Sequence, residues 1–314
     1  MSDNHAHDTN KKTLVIAFII ITFFMIVEAF GGFLTNSLAL LADAGHMLSD
    51  SISLGVAVVA LTLGERVANY SKTYGYKRFE ILAAVFNGVT LILISGFIFY
   101  EAIGRFQNPP EVASFGMLGI AIVGLIVNII VAFMLHRSGN TQDNLNIRAA
   151  FLHVIGDLLG SVGAIIAALL MIFFDWGIAD PLASVIVAML ILISGWRVTK
   201  DSLHVLMEGA PVNVDLKDVI STIKRFDEVK GIHDLHAWTI TSGMNALSAH
   251  VVVDGRMTVH ESQMLLHKIE DELEQNNIGH VTIQIECKDH EHGDEVICDI
   301  EFESETGQHH GHAH

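Results

Sequence analysis

Six long apolar stretches precede the polar C-terminal third of this chain: roughly Thr13–Phe33, Leu38–Leu63, Phe79–Ile103, Phe115–His136, Leu145–Phe173 and Pro181–Leu203. A helix of about 20 apolar residues crosses the ~30 Å hydrocarbon layer of a bilayer. Lipid offers no hydrogen bonds, so the backbone must satisfy its own polar groups and each stretch reads as a membrane helix. The composition agrees: 51% of the 314 residues are hydrophobic and the mean hydropathy is +0.46, too apolar for a soluble protein of this length. No cleavable signal peptide is apparent, because the N-terminus is short and polar and the first apolar run is long enough to span. Small residues at helical spacing (Ala84, Gly55, Gly88, Gly119, Gly160, Gly163) suit closely packed helices.

Orientation follows from the basic residues of the short loops. Lys11 and Lys12 precede the first stretch. Arg66, Lys72, Lys77 and Arg78 separate the second from the third, Arg137 and Arg148 flank the loop after the fourth, and Arg197 and Lys200 end the sixth. The opposite loops hold only Arg105. Both termini are therefore expected in the cytoplasm. Short loops and the lack of organelle signals point to a bacterial plasma (inner) membrane.

From Pro211 the pattern is that of a small soluble α+β domain. Asp215–Phe226 reads as an amphipathic helix and His233–Thr241 as a strand. A Ser242-Gly243 turn leads to a second strand over Ala246–Asp254, then a helix over Val259–Gln275 and a third strand over Val281–Cys287. This αββαβ order is ferredoxin-like with one element missing, and a domain so small leans on a partner chain. The expected fold is thus a six-helix transmembrane bundle followed by a small cytoplasmic ferredoxin-like domain. Its segments are a tail over 1–12, the six-helix transmembrane domain over 13–208, the small α+β domain over 209–288 and an acidic, His-rich, disordered tail over 289–314. Charge is uneven: net −4 over residues 1–208 and net −13 over 209–314. That excludes the basic footprint of a nucleic-acid binder and suits a surface that collects cations. Two cysteines, Cys287 and Cys298, make no disulfide framework.

Within the apolar stretches one pattern occurs twice: His46-x-x-x-Asp50 and His153-x-x-x-Asp157. Residues four apart share a helix face, and an ionisable side chain in the bilayer costs about 2.5–3.5 kcal/mol. Two such pairs supply two nitrogen and two oxygen ligands, a tetrahedral set for Zn²⁺. A divalent cation would neutralise both carboxylates. Imidazole with carboxylate also suits Co²⁺, Cd²⁺, Ni²⁺ or Fe²⁺, whereas Mg²⁺ and Ca²⁺ prefer oxygen alone. Asp43, seven before Asp50, is a candidate to support the ligands or line the pathway, and Glu28, Asn36, Asn87 and Asn128 are candidates for interhelical hydrogen bonds.

These residues lead to a family. Thr35-Asn-Ser-Leu-Ala-Leu-Leu-Ala-Asp-Ala-Gly-His-Met-Leu-Ser-Asp50 resembles the second helix of the cation diffusion facilitators. Tyr74-Gly-Tyr-Lys-Arg-Phe-Glu80 resembles that family's entry into the third helix, and His153-Val-Ile-Gly-Asp157 its fifth. Gly231-Ile-His-Asp-Leu-His-Ala-Trp238 resembles the first strand of its cytoplasmic domain. The resemblance covers about residues 13–288. It implies a homodimeric, proton-coupled exporter of Zn²⁺, with His46, Asp50, His153 and Asp157 as the transport site. His in the first position is the zinc-type pattern; manganese-type members usually place Asp there. It also implies zinc near the dimer interface of the soluble domain, held from His233, His250 and Glu286. His267 and His280 are candidates to complete that shell, and His236, Cys287 and Cys298 are further ones. Relatives with ligands between the second and third helices differ from this chain, whose Glu65–Lys77 segment has no His, so no loop metal site is expected.

No Gly-x-x-x-x-Gly-Lys-Ser/Thr loop occurs, so direct ATP hydrolysis by a P-loop is not expected, and the proton antiport that the resemblance implies needs no nucleotide. Zinc and protons compete for the same four ligands, and His titrates in the right range. An intramembrane metalloenzyme is the alternative in another class. It lacks support from a His-Glu-x-x-His motif and from the open coordination position that catalytic zinc needs. A membrane-anchored metal sensor would leave the matched pairs unexplained. The His-rich end is either a metal collector or a dispensable charged end.

Overall fold

The structure is a computed structural model that describes residues 3–63, 69–137, 145–287 and Val296. It divides into two compact units, one up to His204 and one from Val205.

The first unit consists of helices α1 (Asp3–Thr35), α2 (Leu38–Leu63), α3 (Phe79–Gln107), α4 (Ser114–Arg137), α5 (Leu145–Phe174) and α6 (Ala179–Leu206). Within the described residues, Val15–Thr35, Phe79–Gln107, Ser114–Val131 and Ala179–Leu206 are long and apolar enough to cross a membrane. Exposed surfaces are rich in Phe, Ile and Leu, including Phe23, Phe30, Phe97 and Ile193, as a lipid-facing bundle requires. Helix α1 begins at Asp3, well before its apolar run, because hydrogen bonding continues through the polar residues where hydropathy stops.

Small residues let the helices approach. Ala17, Ile21 and Phe24 of α1 pack on Met47 of α2 and Val131 of α4. Ala39 and Leu40 open α2 against Met117 and Ala121 of α4 and Ala164, Ala167, Ala168 and Met171 of α5. Leu38 and Ala42 join Leu91 and Ile98 of α3 and Val187, Ala188 and Ile191 of α6. Helices α3 and α6 meet backbone to backbone: a Cβ added at Gly88 would lie 2.9 Å from the Gly195 carbonyl oxygen, and one at Gly195 3.0 Å from that of Gly88.

One knot of charge fixes an end of this unit. The buried Asp180, in the first turn of α6, accepts from Ser37 Oγ at 2.7 Å and from the backbone N–H groups of Leu38 and Ala39 at 2.9 and 3.2 Å. It thereby satisfies the orphan donors at the start of α2. Arg105 stands 3.7 Å from Asp180 and donates to the Asn36 carbonyl oxygen at 2.7 Å, to Asn36 Oδ1 at 3.1 Å and to Glu101 at 3.0 Å. The basic residue that stood apart in the loop count is thus a buried strut. Asn36 itself sits at φ 56°, a left-handed turn that Asn tolerates.

The second unit contains α7 (Leu216–Lys224), β1 (Gly231–Thr241), β2 (Met244–Val253), α8 (Val259–Gln275) and β3 (Ile278–Cys287). The expected αββαβ order is present. β1 pairs antiparallel with β2, and β3 joins β2 in parallel after the α8 crossover. β3 starts at Ile278, three residues before the expected Val281, because Ile278 is fully buried in the core and Asn277, at φ 63°, turns the chain into the strand. Both helices cover one face of the sheet. Val219 and Ile223 of α7 and Leu265, Ile269 and Leu273 of α8 pack on Ile232, Leu235, Leu247, Ala249 and Val251. Most of the expected tail over 289–314 lies outside the described residues. Val296 packs against this core, and its carbonyl accepts the Leu235 N–H at 2.9 Å.

Candidate metal centres

In the helical unit, α2 carries the first pair: His46 is half-buried and Asp50 is buried. His153 and Asp157 lie on α5, one helical turn apart, but their side chains fall outside the described residues. α2 does pack against α5, a contact that no sequence argument established. Asp43 Oδ2 accepts from Ser161 Oγ of α5 at 3.4 Å. Gly160 makes room for it, since a Cβ there would lie 2.8 Å from Asp43 Oδ1. Nearer the start of α2, Ala39 and Leu40 share a cluster with Ala164–Met171. Ascending numbers on α2 therefore meet descending numbers on α5, and the two helices run antiparallel.

Two asparagines brace this region. Asn87 of α3 donates to Ser49 Oγ of α2 at 2.8 Å, and Asn128 of α4 to Ser161 Oγ at 3.3 Å.

In the soluble unit three side chains converge on the sheet face opposite the helices. His233 on β1 and His250 on β2 are register partners, their rings edge to face with centroids 5.1 Å apart. Glu286 reaches them from β3: its Oε2 lies 3.1 Å from His233 Nε2, and its Oε1 lies 3.0 Å from His250 Nδ1. All three ligand atoms fall within 4.8 Å of one another. A tetrahedral zinc with bonds of about 2.0–2.1 Å spaces its ligands by about 3.3 Å, so this nitrogen and oxygen donor set fits zinc in kind and in spacing. Burial works to raise the Glu286 carboxyl. The Gln284 amide, donating to Oε1 at 2.7 Å, and the facing imidazoles of His250 and His233 outweigh it, so the group lies below the ordinary carboxylate range and is ionised for a cation.

The other candidates stand elsewhere. His267, on α8, is largely exposed and lies 3.4 Å from Glu270. His280 is exposed on β3. Cys287 is an exposed free thiol, and Cys298 lies outside the described residues. His236 pairs with Asp234 at 3.0 Å, and the same carboxylate lies 3.5 Å from His250 Nε2.

Asp234 was missed by sequence reasoning. Regular alternation sends it to the face opposite His233, but β1 is bulged. His233 pairs with His250 and His236 with Ser248, three steps on one strand against two on the other. Asp234, at φ 49°, takes up the extra step and lands beside the histidines. The usable signal was the spacing of Ile232, Leu235 and Ala237, a core set that breaks the period of two.

Comparison with known proteins follows this division. Residues 14–207 match the cation efflux transmembrane domain and residues 211–288 the cation efflux protein cytoplasmic domain. A Bacillus subtilis protein named cadmium, cobalt and zinc/H⁺-K⁺ antiporter is 61% identical over 310 residues, 99% of this chain and 100% of its own. The Escherichia coli zinc transporter ZitB is 42% identical over 295 residues, 91% of this chain and 93% of its own. The metal cation efflux system protein CzcD of Cupriavidus metallidurans is 41% identical over 298 residues, 94% of this chain and 93% of its own. The chain belongs to the cation efflux, or cation diffusion facilitator, family.

Proposed function

We propose that this protein is a zinc-type secondary transporter that exports Zn²⁺ from the cytoplasm in exchange for protons, with Cd²⁺ and Co²⁺ as further substrates. It is a transporter rather than an enzyme. The observation that carries the reading is the antiparallel contact of α2 and α5. Asp43 sits level with Gly160 and Ser161. Equal steps of about 1.5 Å per residue along both helices bring His46 level with Asp157 and Asp50 level with His153. Each imidazole thus stands at the height of the opposite helix's carboxylate, the arrangement of one four-ligand site rather than two isolated pairs. The three relatives bear names that speak of zinc, cadmium, cobalt or metal cations, which agrees with an imidazole and carboxylate site.

Deprotonated ligands bind metal, so a site open to the cytoplasm releases protons and takes zinc, and protons from the other side displace it after the bundle rocks. The Arg and Lys of the loops support both termini lying in the cytoplasm, and the short loops support a bacterial inner membrane. The His233, His250 and Glu286 cluster holds a second, regulatory or structural Zn²⁺. The helix-free sheet face that carries it joins two copies in a homodimer, and His267 and His280, remote within one chain, complete shells across that interface. The deciding experiment is zinc flux into inverted vesicles carrying Asp50→Ala or Asp157→Ala: loss of pH-driven uptake is expected, and near-normal flux in either variant would sink the assignment.

A further inference from the structure

Glu28 is completely buried in α1, and among the described residues neither of its carboxylate oxygens has a hydrogen-bond donor. The charged group that faces it is another carboxylate, Asp43 of α2, itself buried. Polar neighbours come from the two other helices of this group. Ser161 of α5 donates to Asp43 Oδ2 at 3.4 Å, and Asn128 of α4 donates to Ser161 Oγ at 3.3 Å. His46, the nearest titratable group along α2, lies one turn further on and belongs to the metal site. Two facing carboxyl groups out of reach of water do not both ionise; one positive charge between them resolves the repulsion.

We infer that Glu28 and Asp43 form a second intramembrane cation site, occupied by a proton shared between the two carboxyl groups, that stores counter-charge separately from the four metal ligands. The chemistry is a single proton transfer. The Glu28 O–H bonds to the Asp43 carboxylate, and release of that proton takes the pair from −1 to −2 with no other bond changed. Asp43 precedes His46 by three residues, about 4.5 Å along the helix, and Asp50 by seven, about 10 Å. The pair therefore lies at one end of the four-ligand set, near enough for its charge to be felt through a dry interior. Zinc arriving at the metal site favours departure of the proton, and zinc leaving favours its return. The inference rests on the four-ligand reading above.

The test uses the full-length protein and Zn²⁺ as the probe. Calorimetry in buffers of different ionisation enthalpy counts protons released per zinc bound, and infrared difference spectra report the protonated carboxyl C=O stretch. Glu28→Gln is expected to bind zinc while releasing about one proton fewer per zinc, and to lose a carboxyl band that the wild type shows. Wild-type proton release in Glu28→Gln, or no such band in the wild type, overturns the inference. A band that follows potassium concentration at constant pH assigns the site to a metal cation and overturns it as well. Should Glu28→Gln fail to fold, Asp43→Asn serves with the same readouts. Failure of the transport-site reading shows separately, as zinc flux that survives Asp50→Ala.

Discussion

Asp180 shows how much one carboxylate can hold. It caps the start of α2 and stands beside Arg105, so Asp180→Ala strands three donors and leaves the buried Arg105 with Glu101 as its remaining carboxylate. Breaking such a pair from one side costs about 3–5 kcal/mol, and thermal unfolding in detergent should show a large fall, with Asp180→Asn between the two because it keeps an acceptor. Nothing in the sequence marks this residue, since Ser37 lies 143 positions away. The His and Asp pairs were legible because four-residue spacing is a property of a single helix. Asp234 was not, because a bulge is decided by the partner strand. His250 is the handle on the soluble centre. Chelation should lower the unfolding temperature of the wild-type protein by more than that of His250→Ala, which keeps only the transport-site metal, since bound metal stabilises only the state that binds it.

At the scale of elements, α8 has a start that its sequence announces. Thr258 and Glu261 form a capping box, with Thr258 Oγ1 accepting the Glu261 N–H and Glu261 Oε2 accepting the Thr258 N–H. The Thr258 backbone and hydroxyl donors hold the Glu261 carboxyl below its usual range. A carboxyl lowered by folding contributes fully above its unfolded value of about 4.3 and loses that contribution as the pH falls through the lower folded value. Hydrogen-exchange protection of the first turn of α8 should therefore drop in that acidic window, and in Glu261→Gln, which can close the same box without a titrating group, it should be flat with pH. The α3–α6 contact is the opposite case. Glycines are common in membrane helices, so the sequence alone did not single out Gly88 and Gly195 as partners. Gly88→Val should push the two helices apart at a cost of about 1–3 kcal/mol, read as lower thermal stability in detergent.

For the molecule as a whole, hydropathy and the αββαβ order were readable because each depends on local periodicity, whereas the meeting of α2 with α5 depends on packing across more than a hundred residues. The acidic, His-rich end is a test of whole-chain behaviour. Removing Asp289–His314 should weaken transport at low zinc without changing the maximal rate, measured as flux against zinc concentration. Because Val296 packs on the soluble core, a second truncation that begins after Val296 separates metal collection from domain stability. The bulge in β1 carries a last consequence. Three residues of β1 span what two span on β2 between His233 and His236, so this part of the strand contains one surplus residue. Deleting Asp234 would leave an even ladder with Leu235 and Ala237 still facing inward. Deleting a residue elsewhere in the strand, away from its irregularities, would turn the sheet inside out from that point onward. Tolerance to a one-residue deletion is therefore concentrated where a negatively charged side chain has been set beside the histidines, and that side chain can be removed with its backbone, as a unit.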